Sequence, residues 1–150
     1  MGTFETKTTI NASKTAVWSA LADIGNIAAW NPGVIKSYVT SEQQSEGLGA
    51  TRYCDLGGRN FLDEEVVKWE PENALTMRVT NTNMPFKTVD IRFILTPVAE
   101  NKTEIVVSPI YELKYGPVGQ LMDTLFIKST YHKGMDSLLA GLKKYLEEQL

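Results

Sequence analysis

Few residues in this chain have side chains that do chemistry at neutral pH. It carries one histidine, His132, and one cysteine, Cys54. A neutral imidazole at His132 could orient a ligand carbonyl or act as a general base. Glu65 is a second group able to move a proton, so His132 and Glu65 are the candidate catalytic pair. Arg52 and Glu65, if both lie inside the fold, would need each other, because a buried unpaired charge costs several kcal/mol. Such a pair could form the polar end of a pocket, with Arg52 holding a ligand carboxylate. The alternative is a rim ion pair worth ~0–1 kcal/mol. Cys54 with His132 suggests a thiolate nucleophile, but no third orienting group is visible, and a free strand cysteine is more often a small buried hydrophobe. One histidine excludes every two-histidine metal motif and one cysteine excludes an internal disulfide, so neither metal nor cofactor is expected.

The element that must position His132 is the last one. Residues 117–148 have no interior proline and repeat apolar side chains every three or four residues, at Val118, Leu121, Met122, Leu125, Met135, Leu139, Leu142 and Leu146. Ser129 and His132 sit within that stripe. One helix of about 46 Å, at 1.5 Å per residue, is expected, serving as the lid of a cavity. Before it the pattern is strand-like. A first strand spans 3–10, and a helix follows, capped by Asn11 or Ser13 and buried through Val17, Trp18 and Leu21. A second short helix covers about 26–30, ahead of Asn31-Pro32-Gly33.

Strands are then expected near 34–41, 50–56, 61–69, 74–80, 86–96 and 103–113, with short connections that favour an antiparallel meander. Alternation places Val89, Ile91 and Phe93 inside, and Asp90 and Arg92 in water. The same reasoning turns Leu75, Met77 and Val79 inward. Counted from Lys68 as an outward residue, it turns Glu65, Val67 and Trp69 inward. Arg52 and Cys54 share one face, which pattern alone does not assign. Gly57-Gly58 and the 81–85 loop are expected at the entrance.

A chain of 150 residues reads as one domain, 1–150, able to bury about two thirds of its unfolded surface. Its net charge of −3, without a basic stripe, argues against nucleic acid as a partner. No segment approaches the ~20 apolar residues of a membrane span, and the N-terminus lacks a signal-peptide core, so the expected location is cytoplasmic. A monomer or weak homodimer is expected.

Several stretches together carry a family likeness. They are Ile10-Asn11-Ala12-Ser13 with Val17-Trp18 and Leu21, Asp23 through Trp30-Asn31-Pro32, Gly49-Ala50-Thr51-Arg52, Glu64 through Pro71, Pro85-Phe86, and Leu142-Lys143. In this order the chain resembles the START-like, Bet v 1-like (SRPBCC) superfamily, and within it the polyketide cyclase/dehydrase and lipid-transport type. The resemblance implies an α+β helix-grip fold. A curved antiparallel sheet of about seven strands would wrap around a long C-terminal helix, with two short helices after strand 1. It differs from plant abscisic-acid receptors of that fold, whose gating loop is here Asp55-Leu56-Gly57-Gly58-Arg59.

On this fold a hydrophobic or amphiphilic small molecule, such as a lipid or polyketide, is the expected partner, held between sheet and helix. Arg52, Cys54, Glu65, Val67, Trp69, Met77, Val79, Phe86, Val89, Ile91, Phe93, Met122, Phe126, Ser129 and His132 are the expected contacts, the soft and aromatic ones suiting an adaptable apolar pocket. Two other readings stay open. One is a cyclase or dehydratase using His132 and Glu65 for proton transfer. The other is a protein-interaction module, for which Tyr38, Val34 and Ile94 are the visible apolar surface residues.

Overall fold

In the computed structural model, which describes residues 1–149, the chain begins on the edge of its own sheet. β1 (Gly2–Thr3) and β2 (Thr6–Ile10) pair with β8 (Lys102–Leu113) in one register, Gly2 opposite Tyr111 and Thr6 opposite Val107. Only Phe4 and Glu5 interrupt them, which makes eight strands where seven were expected. α1 (Lys14–Ala22) starts at Ser13, whose Oγ accepts from the Ala16 N–H at 3.1 Å, and buries Val17, Trp18 and Leu21. A 3-10 segment, Ile24–Ala29, takes the place of the second short helix.

The remaining strands are β3 (Lys36–Val39), β4 (Thr51–Gly57), β5 (Asn60–Glu70), β6 (Ala74–Thr82) and β7 (Phe86–Ala99), followed by β8. All pair antiparallel in chain order, from β3 at one edge to β8 beside the first strands. The β3–β4 connection is an irregular loop over 40–50 rather than a short turn. Bulges interrupt the β4–β5, β5–β6 and β7–β8 ladders, and each one bends its strand. The alternation in β7 and β8 sends Val89, Ile91, Phe93, Leu95, Ile105 and Val107 into one buried core with Leu138, Leu139, Leu142 and Leu146 of the terminal helix. This is the α+β helix-grip arrangement expected of the chain.

Two local features differ from the expected pattern. In the β5–β6 ladder Val66 opposes Met77 and Lys68 opposes Thr76, so Val67 is an extra, bulged residue. A bulge reverses the side-chain phase on its far side. Trp69 therefore faces inward as expected, but so does Glu64, 3% exposed, rather than Glu65, which pairs opposite Arg78. The terminal helix, likewise, is three pieces: α2 (Gly116–Met122), a π-helical turn (Asp123–Ile127) and α3 (Lys128–Glu147). The wider π turn changes which side faces the sheet. Val118, Leu121 and Leu125, expected inside, are exposed, whereas Leu139, Leu142 and Leu146 are buried. Among the described residues no helix is long and apolar enough to cross a membrane.

Candidate functional site

Between the bent sheet and the terminal helix lies a cavity of about 400 Å³. One wall is strand: Arg52 and Cys54 of β4, Leu62 and Glu64 of β5, Val79 of β6, and Val89, Ile91 and Phe93 of β7. The roof is helical, from Phe126 through Tyr131 and Met135 to Leu138, and Ile27, Asn31 and Val34 close the side. Exposed residues also line it, namely Gly33, Phe126, Thr130 and Gly134, and these mark where it opens to solvent. Met84 and Pro85 from the β6–β7 loop and Leu56 from the end of β4 complete the rim.

The polar part of the cavity is compact. Arg52 and Glu64 are direct cross-strand neighbours, and their inward placement makes a buried ion pair, Nε to Oε1 at 3.0 Å. Arg52 Nη1 also donates to the carbonyl of Ile24 at 3.0 Å. Arg52 Nη2 and Glu64 Oε2 make no side-chain hydrogen bond among the described residues, so the pair keeps both donor and acceptor capacity. Burial opposes the guanidinium charge most, but the charge and hydrogen bond of Glu64, together with Cys54, outweigh it and hold Arg52 above its ordinary pKa.

Cys54 lies next along β4, its Sγ 3.7 Å from Glu64 Oε1. Burial chiefly, with Glu64 adding to it against Arg52, pushes the thiol up to about 12, so it is a neutral donor and not a thiolate. Tyr131 faces the cavity from α3, and its phenol is raised by burial and by the nearby Glu64 charge. Its ring sits in an aromatic cluster, 5.2 Å from Phe4, 5.5 Å from Phe86 and 5.3 Å from Tyr111.

Of the expected contacts, Arg52, Cys54, Val79, Phe86, Val89, Ile91, Phe93 and Phe126 line this cavity. Seven do not. Glu65 and Val67 lose their place to the β5 bulge. Trp69 packs edge-on against Trp18 at 5.0 Å, and Met77 is solid core. Met122, Ser129 and His132 are turned away from the cavity by the phase of the helix. His132 instead lies at 3.1 Å from Asp136, one turn on, with its ring 4.9 Å from that of Phe4. The candidate proton-transfer pair, His132 and Glu65, therefore does not converge on one site, nor does Cys54 meet His132. Val34, expected on the surface, is buried at the side of the cavity.

Glu64, Thr130, Tyr131 and Asn31 are polar lining residues that the sequence pattern did not single out. Glu64 adjoins Glu65, and the β5 bulge decides which of the two faces the cavity. Tyr131 adjoins His132 in the same way. No three acidic, histidine or cysteine residues cluster as a metal site among the described residues.

Comparison with known proteins agrees with this fold. A family model described as "Polyketide cyclase / dehydrase and lipid transport" matches residues 1–147. A START superfamily protein from Mycobacterium smegmatis superposes with a TM-score of 0.82 at 15% identity, covering 99% of both chains. The Zhui aromatase/cyclase from Streptomyces sp. R1128 gives a TM-score of 0.77 at 15% identity, covering 99% of this chain and 94% of that one. Ginseng major latex-like protein 151 from Panax ginseng gives 0.77 at 14% identity, covering 96% of each chain. Curated protein sequences give no significant match. At these identities the structural likeness speaks for the fold.

Proposed function

The chain belongs to the polyketide cyclase / dehydrase and lipid transport family, and from that premise we propose that it binds one largely apolar small molecule carrying a compact, uncharged polar group. The observation that carries this reading is an open cavity of about 400 Å³ with largely apolar walls, whose charged lining residues are the Arg52–Glu64 pair. Apolar burial supplies the affinity at about 25 cal/mol per Å². Arg52 and Glu64 set the orientation, because desolvated polar groups reject a ligand that cannot satisfy them.

The charge balance selects the head group. Glu64 already neutralises Arg52, so a ligand carboxylate would add an uncompensated negative charge beside Glu64. A ketone, alcohol or phenol instead accepts from Arg52 Nη2 or donates to Glu64 Oε2 without that cost. The neutral Cys54 thiol and the Tyr131 phenol extend the same kind of surface.

The test is native mass spectrometry of the purified protein for co-purified molecules, followed by displacement of a lipophilic dye by two ligands of matched chain length, a long-chain alcohol and a fatty acid. Saturable dye binding with preference for the alcohol is expected. Val79→Trp, which fills the cavity from β6, should abolish dye binding while the fold persists. Absence of both a bound species and saturable dye binding would remove the reading. A preference for the fatty acid would remove its head-group part.

A further inference from the structure

The stretch from Tyr115 to Phe126 has an apolar face with nothing packed on it. Tyr115, Val118, Leu121, Leu125 and Phe126 are between 58% and 67% exposed; the first four recur three to four residues apart, and Phe126 adjoins Leu125. A contiguous apolar patch of this kind on a soluble domain marks a contact surface. We propose that this segment docks the protein onto an anionic lipid bilayer, with the mouth of the cavity turned toward it.

Charge selects the occupant. The whole chain has a net charge of −3, yet between residues 114 and 133 the cations are Lys114, Lys128 and Lys133, all exposed, and Asp123 is the sole acid. Asp123 is engaged by the hydroxyl of Tyr111, which donates to it. Of the neighbouring acids, Glu112 is paired with Lys87 at 3.6 Å, and Asp136 accepts from Thr6 and lies against His132. An amphipathic segment with an apolar stripe and flanking lysines matches an interface whose head groups are negative. A second copy of the chain fits worse. An isologous contact would set three lysines against the same three, with no free carboxylate in the segment to separate them.

The position relative to the cavity gives the docking a consequence. Phe126 belongs to both surfaces, exposed on the segment and lining the cavity. The backbone N–H of Lys114 donates to Pro85 on the rim, which ties the start of the segment to the mouth. A bilayer contacting this face therefore lies at the opening, so that an apolar ligand could pass between bilayer and cavity without crossing water. The docking itself does not depend on what the cavity holds.

The experiment is co-sedimentation of the whole protein with phosphatidylglycerol–phosphatidylcholine vesicles and with vesicles of phosphatidylcholine alone, with mass measured in solution by light scattering. Binding to the anionic vesicles, weakened by salt and absent on the neutral ones, is expected for a monomeric protein. Leu121→Ser with Leu125→Ser, neither of which lines the cavity, should lower partitioning by about tenfold or more. Lys114→Glu with Lys128→Glu should remove the preference for anionic lipid and, being at exposed positions, leave the fold intact. No partitioning of the wild type, partitioning unchanged in both double variants, or a wild-type dimer dissolved by the leucine changes would each overturn the proposal.

Discussion

The two ends of the terminal helix have similar amphipathic sequences and opposite environments. In the second half of α3, Leu138, Leu139, Leu142 and Leu146 are all buried against the sheet and α1. In α2 and the π turn only Gly119 is buried, and five large apolar side chains between Tyr115 and Phe126 face solvent. A roof over a void can be fastened at one end and left spanning at the other. The packed end provides the stability, and the spanning end provides a mouth and a surface. Regions with few buried contacts also open first, so exchange of ligand is expected at the α2 end. The same division runs through the cavity, whose polar spot lies on the sheet wall while exposed residues line its opening.

The largest expected contrast is chemical. Burial holds the Cys54 thiol at about 12 against an ordinary 9.0, so the native protein at neutral pH should carry about a thousandfold less thiolate than the unfolded chain. Because the folded value is raised, folding favours the protonated form. That contribution is whole below pH 9 and is lost as pH rises toward 12. Alkylation by iodoacetamide, followed against pH with and without urea, reads this directly. A native rate that levels off near pH 9 would show the wall around Cys54 to be wet.

Next comes the ion pair. Glu64→Ala leaves the Arg52 charge buried and should cost roughly 3–5 kcal/mol in urea denaturation. Replacing both partners, Arg52→Met with Glu64→Leu, should recover most of that loss yet relax the choice of ligand head group. If the single change proves nearly neutral, the cavity admits enough water to solvate Arg52. The helix ends themselves differ by a similar amount. Leu142→Ala should cost about 2–5 kcal/mol by opening a void in packed core. Leu121→Ala should stay within about 0.5 kcal/mol, as surface changes do. Equal costs would mean that the α2 face is covered in solution.

The order of elements, the inward sets of β6 and β7 and the packed end of α3 were legible in the sequence because each follows an unbroken period. Val89, Ile91 and Phe93 alternate without a bulge between them, and Leu139, Leu142 and Leu146 lie beyond the π turn. The polar residues of the site were not legible, and strand and helix differ in why. In β5 the period counted from Lys68 crosses the bulged Val67, which is marked by neither glycine nor proline, and so selects Glu65 where Glu64 faces the cavity. In α3 the spacing is unbroken from His132 to Leu139, but His132 lies at the edge of the stripe against Phe4, and its neighbour Tyr131 lines the cavity.

The smallest expected effect also separates the two ends most cleanly, because it changes sign between them. Gly134 and Gly141 are both in α3, seven residues apart in number. A Cβ on Gly141 would stand 2.1 Å from the carbonyl oxygen of Trp30, where the helix closes directly on the residue that ends the 3-10 segment. A Cβ on Gly134 would meet no atom within 4 Å, although the residue lines the cavity. Gly134→Ala should therefore raise stability by up to about 1 kcal/mol, the intrinsic preference of a helix for alanine. Gly141→Ala should lower it by about 1–3 kcal/mol, since backbone must move to admit the methyl group. Thermal unfolding of the two variants side by side reads the difference. A loss of stability in Gly134→Ala would mean that the helix lies closer to the sheet at its spanning end, leaving less room for a ligand beneath it.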